Sequence, residues 1–156
     1  NNKFHNIVFA AKDRNFAALA RKAVQAVEAN PARADLVVDQ LALSEGFSEL
    51  GRFLVTRQPR DIGAFKTPPL RDVELTAPYM HNGSEKTLLD VVKFYDKGGE
   101  PNPNLDGGMR KLNLTEAEMN DLVEFLKTLT SDDVRAEMKR AKPQTRDPFV
   151  ETGGRR

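Results

Sequence analysis

The sequence predicts an all-α domain in which short helices are joined by long ordered loops. Three observations carry that reading. Apolar residues recur at helical spacing from Phe16 to Val27. Two later apolar faces each start at a threonine followed three residues on by an acid. Between them, from Gly51 to Asn82, the chain has four prolines (Pro59, Pro68, Pro69, Pro78) and no helical period.

Composition sets the frame. The chain has 156 residues, which fits one domain large enough to bury a core. A net charge of +1 argues against nucleic acid as a partner. No apolar run approaches the roughly 18 residues of a membrane span. With no cysteine, disulfides, thiolate catalysis and zinc–thiolate sites are excluded, and so is covalent haem attachment through a Cys-x-x-Cys-His motif of this chain. Two histidines cannot build a three-histidine metal site. Phosphate-binding glycine loops, G-x-S-x-G elbows and H-E-x-x-H are absent.

The leading residues, 1–12, read as irregular. A helix follows over "NFAALARKAVQAVEA" (15–29), capped by Asp13 or Asn15 and stopped at Asn30-Pro31. A second helix is expected over "RADLVVDQLALSEG" (33–46). Residues 51–82 read as a long ordered loop, with Phe53, Phe65, Leu70, Val73 and Leu75 to anchor it. Thr87 and Asp90 form a capping box, and Leu88, Val91, Val92 and Tyr95 share one face of the helix they start. Gly98-Gly99 ends that helix. Thr115 and Glu118 form a second box with Leu114 and Met119 as a staple, and Leu122, Val123, Phe125, Leu126 and Leu129 extend its apolar face. From Ser131 the tail is charged: an exposed helix over "DDVRAEMKRAK", then an extended end.

The chemistry-bearing residues gather in "LTAPYMHNGSEKTLLDVVKFYDKGG" (75–99). His81 reads either as a histidine bonded to loop backbone or as a neutral imidazole ligand. His5 carries the same two readings. Met80 reads as a core gap-filler or a thioether donor, and Tyr95 as a core tyrosine or an oxygen donor. Pro78 biases Ala77 towards extended backbone, in which the carbonyls of Thr76 and Pro78 point the same way and could face a hard cation such as calcium. An ordinary extended loop is the other reading.

Taken together, "GAFKTPPLRDVELTAPYMHNGSEKTLLDVVKFYDKGG" followed by "LNLTEAEMNDLVEFLKTLT" resembles the di-haem cytochrome c peroxidase family, and most closely its MauG-like branch. The resemblance covers residues 1–130, with 131–156 as a charged tail outside it. It implies a cytochrome c-like haem domain of short helices and long ordered loops wrapped around a haem, the second haem domain of a periplasmic peroxidase or oxidase that uses hydrogen peroxide. In that family the residue matching Tyr95 is the distal axial ligand of the second haem, Met in one branch and Tyr in the other. The resemblance also implies calcium bound by carbonyls at Thr76 and Pro78, His81 near the haem edge, and His5 near a propionate. Met80 belongs to the turn "PYMHNG" and is not the expected iron ligand. The cofactors implied are haem c and calcium.

The same resemblance implies partners: the remaining haem-bearing part of the protein or a separate haem-bearing chain, and a redox protein as electron donor or oxidised substrate. Because the chain lacks Cys-x-x-Cys-His, three explanations stand: a fragment, a subunit beside a haem-bearing chain, or a haem-free relative. Two other functions are a haem-free helical interaction domain and a single-haem electron carrier. The branch-defining position has a physical meaning. Phenolate is a hard anionic donor that stabilises ferric and higher states, whereas a thioether raises the reduction potential.

Overall fold

The computed structural model describes residues 3–7 and 15–140. Among the described residues six helices form: α1 (Phe16–Glu28), α2 (Ala34–Leu43), α3 (Phe53–Thr56), α4 (Leu88–Asp96), α5 (Glu116–Thr128) and α6 (Asp132–Arg140). Short 3₁₀ turns lie at Pro31–Arg33, Phe47–Leu50, Pro59–Asp61 and Val73–Leu75. The expectation of an all-α chain is met except for one ribbon. Strands β1 (Phe4–His5) and β2 (Phe65–Lys66) pair antiparallel, with Phe4 opposite Lys66 and His5 opposite Phe65. The leading segment is therefore not wholly irregular. It is the first strand of a ribbon whose partner lies far along the chain.

Helix α1 starts where its cap dictates. The Asn15 side-chain oxygen accepts from the Ala18 amide at 3.0 Å. The alternative cap, Asp13, lies outside the described residues. Helix α2 is shorter than the sequence suggests, because Ser44 is already extended and Gly46 takes φ 86°. Ala20 and Ala23 of α1 pack with Leu50, Phe53 and Leu54 in the first core cluster, and Val38 and Leu41 of α2 lean on it. Short α1 side chains let the neighbouring elements approach closely.

The stretch from 51 onward is more structured than its prolines suggest. Helix α3 buries Phe53 and Leu54 and stops at Arg57 in left-handed backbone. Gly51 is required there: with φ 55°, a Cβ would lie 2.5 Å from the Ala64 carbonyl oxygen.

The second core cluster joins α4 to α5. Leu88, Val92 and Val123 are buried, and Leu114, Met119 and Leu126 pack against them. Both capping boxes form as the sequence predicts. The predicted apolar faces are only partly used. Val91 is half-buried, while Tyr95, Leu122 and Phe125 are exposed. Leu122 and Phe125 lie about 100° and 160° round the helix from Val123, beyond the strip that meets α4. Phe94, absent from the predicted face, is buried instead. Helix α6 forms as an exposed helix through Arg140, and the expected extended end lies outside the described residues.

Candidate functional site

The turn from Tyr79 to Glu85 closes through a two-way backbone pair. Tyr79 N–H donates to the Glu85 carbonyl at 2.7 Å, and Glu85 N–H returns to Tyr79 at 3.4 Å. Met80 takes φ 67° at its corner and is half-buried. His81 then projects back to the first core. Its Nε2 lies 2.8 Å from Glu49 Oε2, and its ring stacks on Phe65 with centroids 4.0 Å apart and planes 15° apart. The two side chains of the pair are 23% and 13% exposed.

His5 sits opposite Phe65 in the β ribbon, so both histidines adjoin the same aromatic residue. The His5 Nδ1 lies 2.7 Å from Asp106 Oδ2. The Gly108 amide donates to the other Asp106 oxygen at 2.8 Å, and this bond, then His5, holds the Asp106 carboxyl below its ordinary value. The sequence offers no local signal for Glu49 or Asp106 as partners, since 32 and 101 positions separate them from their histidines.

Tyr95 is carried separately, in the last turn of α4. The strip that buries Leu88 and Val92 leaves the α5 contact at this residue, which is 41% exposed. Its ring meets Phe94 edge-on at 5.7 Å. No hydrogen bond joins its hydroxyl to another described residue. Partial burial pushes the phenol above its ordinary value. The neighbour Asp96, which the sequence reading passed over, fixes this end of the helix. Its carbonyl accepts from Leu112 N–H at 3.0 Å and its carboxylate from Leu114 N–H at 2.8 Å. Gly98 lets the connector close in, because a Cβ there would lie 2.9 Å from Lys111 N.

Thr76 and Pro78 depart from the expected geometry. Thr76 has φ −107° and ψ 19°, closing the Val73–Leu75 turn rather than continuing a strand, and the Ala77–Pro78 bond is cis. The cause is local: Thr76 N–H and Oγ1 both donate to the Val73 carbonyl, at 3.2 and 3.0 Å. Both residues are exposed. The turn is bracketed by Glu74 and Tyr79, whose hydroxyl lies 3.5 Å from the Glu74 carbonyl. Burial, then the Glu74 charge, raises the Tyr79 phenol above its ordinary value. Among the described residues no three His, Cys, Asp or Glu side chains converge as a metal site.

Helices packed in pairs and joined by long tied loops fit a cytochrome c-like helical domain. Comparison with known proteins shows what the chain is similar to. Over 80 residues the chain is 48% identical to cytochrome-c peroxidase IdrP1 of Denitromonas iodatirespirans, covering 51% of this chain and 21% of the relative. Over 69 residues it is 46% identical to the methylamine utilization protein MauG of Methylorubrum extorquens, covering 44% and 20%. Cytochrome c551 peroxidase of Nitrosomonas europaea is 38% identical over 84 residues, covering 53% and 22%. Among solved structures, a MauG-like protein associated with microbial copper homeostasis matches 86% of this chain and 36% of its own at TM-score 0.58 and 30% identity. No family model matches. The chain is homologous to the cytochrome-c peroxidases and MauG, a family of redox proteins, and spans about a fifth of the curated relatives it matches. No helix among the described residues is long and apolar enough to cross a membrane.

Proposed function

We propose that this chain supplies the distal side of a c-type haem in a peroxidase or MauG-like oxidase that uses hydrogen peroxide, with Tyr95 as the axial ligand. Residues 1–130 make up the haem-domain portion, and 131–156 are an added charged tail. The observation that carries the reading is Tyr95 itself: one phenol oxygen at the end of an otherwise apolar strip, with no protein partner among the described residues. A hydroxyl brought partly out of water gains from a partner. The donor chemistry fits ferric iron, which favours phenolate over the neutral phenol. Haem would supply one-electron iron chemistry. What the chain's own residues do is hold that oxygen in place: Asp96 ties the helix end to the connector, and Leu88 and Val92 anchor the helix on α5.

His81 and His5 fit the haem surroundings in a different role from ligation, because each already faces a carboxylate. Met80 stays a turn residue. Thr76 and Pro78 remain the proposed carbonyl donors to calcium, on a bent turn instead of an extended run. The cysteines that attach the haem belong to another part of the protein or to a partner chain. A periplasmic location and a redox-protein partner follow from the same reading.

The test is Tyr95→Phe in the intact haem-loaded protein. Helical circular dichroism should be unchanged, while the haem absorption spectrum and midpoint potential shift. Met80→Leu should leave both as they are. Unchanged ligation in Tyr95→Phe together with lost ligation in Met80→Leu would assign the iron to the wrong residue here. Absence of a Soret band from the intact protein would favour the haem-free interaction domain.

A further inference from the structure

We propose that α6 is a latch on the Val73–Pro78 turn, held by the Arg135–Glu74 ion pair. The proposal goes beyond the haem reading and needs neither haem nor calcium. Arg135 Nη2 lies 2.8 Å from Glu74 Oε2 and donates to the Lys127 carbonyl at 2.5 Å. One guanidinium therefore spans the end of α5, the first turns of α6 and the residue two positions before Thr76. Glu74 Oε2 is shielded from solvent and makes no well-directed hydrogen bond, so the charge of Arg135 is its compensation.

The rest of α6 contributes little grip. No α6 residue is fully buried. Met138 is 53% exposed, and a cavity of about 310 Å³ lined by Glu74, Leu75, Arg135, Met138 and Lys139 separates helix from turn. An element with so little apolar contact opens at low cost unless a specific pair holds it. The turn has a second tie, from Asp72 N–H to the Leu129 carbonyl at 3.2 Å and from Ser131 N–H to Asp72 Oδ1 at 3.3 Å. That tie fixes the base of the turn. Arg135 fixes its side, next to the residues that precede the Pro78 bend. Releasing α6 would thus loosen the turn without unfolding α4 or α5, and through it a charged tail would act on the loop that carries Thr76 and Pro78.

Hydrogen exchange on the intact protein, read by mass spectrometry, tests this. The turn has protected amides to follow, including Leu75 and Thr76, bonded to Asp72 and Val73. Arg135→Ala and Glu74→Gln should each speed exchange at residues 72–76 and in α6 by roughly five- to thirtyfold, the range one or two kcal/mol of local stability commands. Exchange in residues 116–126 of α5 should not change. The double variant, Arg135→Ala with Glu74→Gln, should lose no more protection than the more affected single variant, because both act through one contact. Unchanged exchange at 72–76 in both single variants would overturn the latch. So would faster exchange throughout α5, which would make the pair part of the global fold, and so would fully additive losses in the double variant.

Discussion

Asp106 shows how single residues set this fold's response to acid. Its carboxylate takes the Gly108 amide on one oxygen and His5 on the other. These bonds hold its folded pKa below the ordinary 3.8. A depressed carboxyl contributes stability that is complete above its unfolded value and disappears as the pH falls through that value to the folded one. Asp106→Asn should therefore lower the urea midpoint at pH 6, and the gap from the parent protein should narrow as the pH is taken below 3.8. A gap that stays constant with pH would mean the carboxylate's charge is irrelevant. Tyr95 is the contrasting case, since burial raises its phenol and favours the neutral form in the bare protein. Iron would reverse that preference, which is why Tyr95→Phe is best read in the haem spectrum. The type of each residue was legible in the sequence, as was the oxygen donor on the strip. The partners Glu49 and Asp106 were not, because nothing local marks a carboxylate that folding brings across from a distant segment.

At the scale of elements, both capping boxes were read correctly. Thr87 with Asp90 and Thr115 with Glu118 each place cap and counter-cap within four residues, and both boxes form. Leu114 and Met119 pack against the same cluster. The end of α2 was misread, since Ser44 is already extended, and another miss is non-local. The β1–β2 ribbon depends on pairing Phe4–His5 with a segment beyond α3, and two-residue strands carry no period. Helix α3 is four residues long and shows itself only by burying Phe53 and Leu54. On α5 the sequence marks an apolar arc but not which part of it meets α4. The caps make a measurable claim. Thr115→Ala removes the acceptor that satisfies the Glu118 amide and should cost about 1 kcal/mol in urea denaturation. Thr128→Ala, at the other end of the helix, should change stability by less than about 0.5 kcal/mol. Equal losses at both ends would show that the box is not what fixes α5.

At the scale of the molecule, the described residues form two apolar clusters, one around α1 and α3 and one between α4 and α5. What joins them is largely polar and runs through the leading segment. Asn6 is 5% exposed. Its side-chain amide donates to the Ile62 carbonyl at 2.6 Å, beside the first cluster, and its side-chain oxygen accepts from Asn102 at 3.3 Å. Its own carbonyl accepts from the Asp106 amide at 2.8 Å. One buried amide thus ties the loop after α3 to the connector that Asp96 holds against the end of α4. Asn6→Ala would strip both side-chain bonds and leave the Ile62 carbonyl without that donor. Leaving buried polar groups unpaired costs roughly 1–3 kcal/mol each, so the variant should lose about 2–4 kcal/mol. Asn6→Asp keeps the size but sets a buried carboxylate oxygen against the Ile62 carbonyl, and should lose at least as much. The expected pattern in hydrogen exchange is wider than for the α6 latch: residues 50–66 and 102–112 should lose protection together. If Asn6→Ala loosened only the ribbon and left the connector protected, the two clusters would be joined by packing instead, and α4 would not depend on the leading segment for its position.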